Sequence, residues 1–239
     1  MFAADALRNE VQRNGFAICE DVLPPEEMIS LLGALGKIDR PGSLQRRGAT
    51  FAVRNLLDAS LEVRELADSE VVRKLVDAVL GPGCFAVRGI LFDKIPDANW
   101  KVPWHQDVTI AIQAKVEAEG FGPWSTKADV LHVQPPAFVL EQMLSVRLHL
   151  DPCGEENGAL RVIPGSHLKG RIREEEIARI REEVPERICA VSAGGALLMR
   201  PLLLHSSPPS QVPGHRRVIH IDFAAVKLPN DMRWFSEKS

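Results

Sequence analysis

The chain has 239 residues, of which 29 are Lys or Arg and 32 are Asp or Glu, so its formal net charge is −3. A hydrophobic content of 45% is enough to bury the core of one domain, and we predict a single domain over residues 1–239. No segment concentrates positive charge as a nucleic-acid groove would, so nucleic acid is not an expected partner. No apolar run approaches the roughly 20 residues that cross a bilayer, so no membrane association is expected.

Residues 1–5 lack the basic segment, apolar core and cleavage site of an export signal, so we expect a cytoplasmic location. The four cysteines are widely spaced and form no CxxC pair, which argues against a zinc ribbon or a redox dithiol. We interpret them as reduced thiols and expect Cys153 to be the most exposed. The sequence does not indicate an oligomeric state.

The first third of the chain, residues 1–83, is predicted to be mostly helical support. Apolar residues at helical spacing predict a helix within residues 1–13, and a Pro-Pro-Glu-Glu start predicts another over residues 24–35. A short strand is expected between them at residues 16–19. Residues 62–80 predict one long helix.

From residue 84 to residue 227, short β-rich runs alternate with Pro and Gly, which is typical of a β-sandwich or barrel. Strands are predicted at residues 85–95, 102–110, 144–150, 160–163, 196–199 and 217–226. The Asn-Gly sequence within residues 155–158 predicts a hairpin turn whose flanking strands pair antiparallel. A helix over residues 171–184 is expected on the outside. Residues 111–136 fit neither pattern, and we expect a lid-like insertion that overhangs the site.

His105 and Asp107 lie two residues apart in a predicted strand, so their side chains point to the same face. An imidazole and a carboxylate are two of the three ligands in the facial triad that holds Fe(II) with open positions. His205 follows an apolar run and is the candidate third ligand, because a polar side chain at the end of a buried segment needs a hydrogen-bond or metal partner. The alternatives are a half-buried strand histidine and a loop histidine satisfied by backbone.

Arg216 follows His205 at the start of the last predicted strand. A guanidinium there can hold a carboxylate of a dicarboxylic acid as a bidentate pair. The alternative is a solvated start of the strand. The apolar residues of this strand share the phase of Arg217, so we expect them to pack under the helices while Arg216 points into the barrel.

Four motifs follow one another in the sequence. They are Pro-Trp-His-Gln-Asp at residues 103–107, Asn-Gly-Ala-Leu-Arg-Val-Ile-Pro-Gly-Ser-His at 157–167, His-Ser-Ser at 205–207 and His-Arg-Arg-Val-Ile-His at 215–220. Together they resemble the phytanoyl-CoA dioxygenase family over residues 84–226. The resemblance implies a mainly β fold, with a double-stranded β-helix (a jelly-roll, cupin-like core) and a helical N-terminal third. It also implies Fe(II), 2-oxoglutarate as cosubstrate, and O2.

By position in these motifs, Arg216 matches the family's arginine for the distal carboxylate of 2-oxoglutarate, and Ser207 matches a hydroxyl that assists it. Asp107 stands where related halogenases carry a small residue, so the resemblance favours hydroxylation. Lys94 and Arg147 are further candidates for contact with acid groups of the cosubstrate or substrate. Surface exposure is the simpler interpretation of Lys94. For Arg147, which could line the pocket, the alternative is a paired polar face.

The sequence therefore predicts a non-haem Fe(II)- and 2-oxoglutarate-dependent dioxygenase that hydroxylates a small molecule and releases succinate and CO2. Two alternatives stay open. One is a cupin-like metal enzyme without 2-oxoglutarate, in which Arg216 binds only substrate, and the other is a degenerate member that keeps the barrel as a binding module.

His167 is assigned to a turn. The roles of three histidines stay open. His132 and His220 could reach the pocket or only satisfy backbone, and His149 could line the pocket or belong to a paired polar face.

Overall fold

The structure is a computed structural model that describes residues 3–38, 43–46, 49–96, 98–127, 129–212 and 214–237. The helices are α1 (Ala4–Asn14), α2 (Pro25–Leu35), α3 (Leu56–Ala59), α4 (Leu61–Asp68), α5 (Glu70–Leu80), α6 (Ala137–Glu141) and α7 (Glu174–Glu183). The first seven strands are β1 (Phe16–Cys19), β2 (Ser43–Arg46), β3 (Ala49–Arg54), β4 (Phe85–Lys94), β5 (Val102–His105), β6 (Ile110–Ile112) and β7 (Trp124–Lys127). The remaining strands are β8 (Val130–Val133), β9 (Met143–His149), β10 (Leu160–Val162), β11 (Arg187–Cys189), β12 (Ala196–Met199), β13 (His205–Ser207) and β14 (Arg216–Ala224).

Two antiparallel sheets form the body of the molecule. The large sheet has the strand order β1-β12-β9-β14-β4-β3-β2, and the small sheet has the order β11-β10-β13-β5. Neighbouring strands come from distant parts of the chain, as in jelly rolls built from Greek-key connections. The predicted mainly β core with supporting helices is therefore confirmed. Among the described residues, no helix has both the length and the apolar character needed to cross a membrane.

Strand β14 gives the large sheet two different faces. Ile219, Ile221 and Phe223 belong to the same buried core as apolar residues of α1, α4 and α5. Arg216 and His220, on the opposite face, line a cavity between the two sheets. Successive side chains of a strand alternate between faces, so the phase predicted for this strand is confirmed.

The N-terminal third differs from its prediction in two places. The predicted helix over residues 62–80 breaks at Ser69, whose backbone is extended. The Ser69 hydroxyl accepts a hydrogen bond from the backbone of Val72, and this local bond ends α4 and caps α5. Strands β2 and β3 also lie in this third of the chain, so it is less helical than expected.

The Asn-Gly turn does not join two paired strands. Strand β9 before it lies in the large sheet and β10 after it lies in the small sheet, so the predicted hairpin is wrong. Of the Asn-Gly pair, Gly158 alone has a positive φ, 69°, and a Cβ there would lie 2.6 Å from the carbonyl oxygen of Pro208. Glycine is therefore required where the chain crosses between the sheets close to this backbone.

The predicted lid-like insertion, residues 111–136, contains the strands of a third small sheet of order β6-β8-β7. Its buried residues Ile110, Ile112 and Val133 pack in one cluster with Trp234 from the C-terminal segment. Of this insertion, the described residues that line the cavity include Lys127 alone. The segment looked irregular because its strands have only three or four residues each.

The helix expected over residues 171–184 is α7, which lies behind the small sheet. Its Ile180 is buried against Ile163 and Leu204, whereas most of its remaining residues are exposed. All four cysteines are free and buried. Cys153 is 1% exposed, so its expected exposure is wrong.

Candidate metal centre

His105 and His205 face each other on the adjacent strands β5 and β13 of the small sheet. Their ring centroids are 4.3 Å apart. Asp107 lies between them, with one carboxylate oxygen 3.7 Å from His105 Nε2 and the other 3.7 Å from His205 Nε2. One ligand atom from each residue lies within 4.8 Å of the other two, so the structure brings the three predicted ligands together.

Both imidazoles are oriented in the same way by their own strands. The Nδ1 of His105 lies 2.9 Å from the carbonyl oxygen of Pro103, and the Nδ1 of His205 lies 2.9 Å from that of Leu203. A carbonyl oxygen only accepts, so each Nδ1 carries the proton and each Nε2 keeps a lone pair directed at Asp107. Burial also lowers the pKa of His205, which favours the neutral ring. A neutral imidazole is the form that binds metal ions.

Asp107 reaches the site by a different route from the one predicted. Strand β5 ends at His105, so the strand alternation does not extend to Asp107. The backbone N–H of Asp107 instead donates to the carbonyl of Pro201. The side chain of Gln106 fixes this turn with three hydrogen bonds, to the carbonyls of Gly170 and Leu202 and from the N–H of Ile172. No spacing or composition in the sequence indicates this role for Gln106.

The donor set fits a first-row divalent metal such as Fe(II). Two imidazole nitrogens and one carboxylate make a mixed nitrogen and oxygen set, which suits non-haem iron and leaves positions open for other ligands. The three residues line a cavity of about 340 Å³, which has room for those additional ligands.

Lys94 and Arg216 form a buried pair of cations at one end of this cavity. They are register partners on β4 and β14, and they are 1% and 3% exposed. Lys94 Nζ donates to the hydroxyl of Ser207 at 2.8 Å and to the carbonyl of Pro208 at 2.5 Å. Arg216 donates to the same hydroxyl at 3.3 Å and to the carbonyl of Gly158. Surface exposure of Lys94 is therefore the wrong interpretation.

Within the described part of the chain, no carboxylate forms an ion pair within 4.0 Å of Lys94, Arg216 or Arg147. Burial, and then repulsion from Arg216, lowers the pKa of Lys94 to about 7. The Nε atoms of Arg216 and Arg147 are buried without a hydrogen-bond partner. Buried cations are costly without an anion, so this end of the cavity fits a carboxylate of a ligand.

Arg147 and His220 belong to a row of hydrogen-bonded side chains across the large sheet. Arg147 Nη1 donates to His220 Nδ1 at 2.8 Å, and His220 Nε2 donates to Asp222 at 2.7 Å. Ser145 donates to the same carboxylate oxygen at 2.6 Å. Since a guanidinium cannot accept, this pattern assigns the His220 proton to Nε2. His220 therefore lines the cavity, held by the sheet.

The other two unassigned histidines do not line the cavity. His132 Nδ1 donates to the carbonyl of Val130, and burial lowers its pKa to about 4. His149 is buried, neither ring nitrogen has a partner, and burial lowers its pKa to about 3. His167 lies in a short 3-10 helix and contacts the carbonyl of Gln12, which agrees with its assignment to a turn.

A jelly-roll core that carries two histidines, one carboxylate and a buried cationic pocket defines the class of non-haem Fe(II)- and 2-oxoglutarate-dependent oxygenases. Within that class, the chain belongs to the phytanoyl-CoA dioxygenase (PhyH) family, whose family model matches residues 11–218. Peroxisomal phytanoyl-CoA dioxygenase of Mus musculus is 22% identical over 254 residues, which cover 91% of this chain and 67% of the relative.

Solved structures share the fold. AviO1 from Streptomyces viridochromogenes Tue57 is 23% identical, with a TM-score of 0.69, and the match covers 96% of this chain and 98% of that one. EctD from S. alaskensis, crystallised with 2-oxoglutarate and 5-hydroxyectoine, is 19% identical with a TM-score of 0.72, covering 94% and 77%. The α-ketoglutarate-dependent epimerase SnoN from nogalamycin biosynthesis is 18% identical with a TM-score of 0.69, covering 92% and 82%. Iron and 2-oxoglutarate, with O2, are the cofactors of this family, and the donor set and cationic pocket fit them.

Proposed function

We propose that this chain is an Fe(II)- and 2-oxoglutarate-dependent dioxygenase that hydroxylates a small molecule. The observation that carries the proposal is the convergence of His105, Asp107 and His205 in a cavity whose far end holds unpaired cations. These three side chains would hold the iron on one side and leave its other positions open. When bound, ferrous iron and 2-oxoglutarate supply the electrons and the place at which O2 is activated.

Arg216, Lys94 and Ser207 would bind the distal carboxylate of 2-oxoglutarate. The guanidinium offers a planar pair of donors that matches a carboxylate, and Lys94 adds a second positive charge from the neighbouring strand. Ser207 is already oriented between the two cations. Arg147 carries a buried, unpaired Nε and would add a third positive charge to the same region. Cosubstrate binding would therefore neutralise charges that are costly when the pocket is empty of anions.

The overall reaction would convert a substrate C–H bond, 2-oxoglutarate and O2 into a C–OH group, succinate and CO2. One oxygen atom of O2 enters the hydroxyl group and the other enters succinate, and the oxidation of 2-oxoglutarate supplies two electrons. SnoN is described as an epimerase, so the shared fold does not determine which reaction the substrate undergoes. Hydroxylation is proposed because the carboxylate of Asp107 occupies the position that a halogenase leaves for halide.

The cavity volume supports a small substrate. At about 340 Å³ it lies at the small end of the range for ligand sites, roughly 300–1,000 Å³. Since 2-oxoglutarate would fill part of it, a compact molecule fits better than a long acyl-CoA thioester.

The proposal is tested by measuring succinate formed from 2-oxoglutarate with Fe(II), without added prime substrate. The wild-type protein should form succinate only when Fe(II) is present, and His105→Ala should reduce the rate at least a hundredfold. His167→Ala is the matched control and should keep the rate, since His167 lies in a turn away from the three ligands. If the protein instead oxidised another compound in a metal-dependent reaction and consumed no 2-oxoglutarate, the result would support the cupin-like alternative. Unchanged succinate formation in His105→Ala would contradict the ligand assignment.

A further inference from the structure

Three basic side chains line the cavity away from the Lys94–Arg216 end: Arg54, Arg88 and Lys127. We call them the basic cluster. Arg88 lies on β4, and Arg54 at the end of β3 is the register partner of Ile90, two residues further along β4. Arg54 and Arg88 are therefore diagonal neighbours on the same face, with backbones about 7–8 Å apart. Lys127 ends β7 and reaches the same part of the cavity from the third sheet.

The basic cluster is separate from the proposed cosubstrate pocket. Arg88 and Lys94 lie on the same strand, β4, and both line the cavity. At a rise of about 3.3 Å per residue they stand about 20 Å apart along the strand. The basic cluster and the Lys94–Arg216 pair therefore start from opposite ends of β4. The apolar residues Ile90 and Phe92 line the cavity between them.

Among the residues that the structure describes, none of the three members of the cluster forms an ion pair within 4.0 Å. Two carboxylates act on it from further away, since the charge of Arg88 lowers the pKa of Asp222 and that of Asp107 raises the pKa of Lys127. Asp222 is the register partner of Arg88, but it accepts hydrogen bonds from His220 and Ser145. Partial burial, and then the charges of Arg88 and Arg54, lower the pKa of Lys127. Like charges are thus held together on a cavity wall, where they attract anions.

The cluster also lies beside the candidate metal ligands. Lys127 Nζ donates to the hydroxyl of Thr109 at 3.1 Å, and Thr109 follows Asp107 by two residues. An anion held by the cluster would therefore place the uncharged part of its molecule against Ile90 and the metal site. This arrangement suits a substrate that is anchored by one charged end and oxidised at a C–H bond further along.

We infer that Arg54, Arg88 and Lys127 bind an oxyanion group of the prime substrate, so that the substrate is a small molecule carrying a carboxylate, phosphate or sulfate. The inference rests on the proposed function, because it places the oxidised part of the same molecule beside His105, Asp107 and His205. It adds a second anion site to the cavity, which the proposed cosubstrate does not occupy.

The first test measures anion binding as a shift in the midpoint of thermal unfolding, Tm. The full chain is loaded with Mn(II) and saturating 2-oxoglutarate, so that the Lys94–Arg216 end is filled. Sodium sulfate or sodium acetate is then titrated at constant ionic strength, with chloride as the balancing anion. Arg88→Met is compared with Arg179→Met, a matched control on the exposed side of α7. Sulfate stabilises proteins generally, so the difference between the variants is the readout.

A Tm that rises with either anion in the wild type and in Arg179→Met, and at most half as much in Arg88→Met, supports the inference. A larger shift with sulfate indicates a phosphate or sulfate group, and a larger shift with acetate indicates a carboxylate. Equal shifts in all three proteins would overturn the inference. Lys127→Met, which alters an exposed residue, replaces Arg88→Met if that variant does not fold.

The second test concerns the substrate itself. Small carboxylic acids, phosphate monoesters and their neutral amides or alcohols are screened for stimulation of succinate formation by the Fe(II)-loaded protein. The stimulating compounds should be anions, and Arg88→Met should raise their KM at least tenfold. Stimulation by neutral compounds alone would overturn the inference. A wild-type protein whose Tm does not respond to 2-oxoglutarate with Mn(II) would count against the proposed function, whereas the anion-dependent shifts report on the basic cluster separately.

Discussion

Replacing Lys94 with Met should stabilise the protein without 2-oxoglutarate and weaken its binding of 2-oxoglutarate. Lys94 is 1% exposed, faces Arg216 across β4 and β14, and has no carboxylate partner among the described residues. Methionine has a similar length and carries no charge. The substitution removes a buried amine and its repulsion from Arg216, but it also removes hydrogen bonds to Ser207 and Pro208.

The expected gain follows from the pKa of Lys94, which burial lowers from 10.5 to about 7. At pH 7 this difference disfavours the folded state by about 4 kcal/mol, at 1.36 kcal/mol per pKa unit. Each of the two lost hydrogen bonds reduces this gain by about 1 kcal/mol, so the variant should be about 2 kcal/mol more stable than the wild type. For a chain of this size, that raises Tm by about 4–8 °C.

The pH dependence has a definite sign. Because the folded-state pKa of Lys94 is lower than the unfolded-state value, the unfolded chain binds more protons between pH 7 and pH 10.5. The wild-type protein therefore gains stability from this group as the pH rises through that window. The advantage of Lys94→Met should shrink as the pH rises and vanish near pH 9, where the remaining charge term of about 2 kcal/mol equals the loss of the two hydrogen bonds. Near pH 10.5 the variant should be the less stable protein by about 2 kcal/mol, because only the hydrogen-bond loss is left.

Differential scanning calorimetry at pH 7 and near pH 10.5 measures the stability change, and titration calorimetry with Mn(II) measures 2-oxoglutarate binding. The dissociation constant should rise at least tenfold in Lys94→Met, because a buried charge-assisted contact is lost. Lys74→Met, on the exposed face of α5, is the control and should change neither quantity much. A lower Tm for Lys94→Met at pH 7, or an unchanged affinity for 2-oxoglutarate, would refute this reasoning.

Three further predictions concern other parts of the site and the core. Arg216→Lys keeps the charge but loses the planar pair of donors, so calorimetry should show at least tenfold weaker 2-oxoglutarate binding; equal affinity would contradict the proposed role. Gln106→Leu removes three hydrogen bonds and should lower the free energy of unfolding by about 2–3 kcal/mol in urea titrations, with weaker Fe(II) binding. A variant as stable as the wild type would show that the Asp107 turn does not depend on it. Iodoacetamide should label no cysteine in the native protein and all four after unfolding, and rapid native labelling of Cys153 would contradict its burial.

The sequence predicts the metal ligands better than the backbone that holds them. Strand alternation suggested that His105 and Asp107 share a face, yet β5 ends at His105 and the turn after it is fixed by Gln106 and Pro201. The order of the motifs predicts that these side chains converge even where strand alternation does not apply, and in the structure they lie together. His205 was identified from its position after an apolar run and from the order of the motifs, and the structure makes it the register partner of His105.

The basic cluster could not be predicted because its members are distant in sequence. Arg54, Arg88 and Lys127 come from three strands, and only the pairing of β3 with β4 and the position of the third sheet bring them to one cavity. The Asn-Gly turn fails for a related reason. Local turn chemistry at Gly158 marks a change of direction, whereas the sheet that each flanking strand joins is decided by long-range packing.

The most direct test of the central claim is an anaerobic Fe(II) titration in the presence of 2-oxoglutarate, followed by the visible charge-transfer absorption of the iron chelate. The wild-type protein should develop this absorption and saturate at one iron per chain. His105→Ala and His205→Ala should lose it, while His167→Ala should retain it. Absorption that persists in both ligand variants, or that never appears in the wild type, would contradict a centre built from His105, Asp107 and His205.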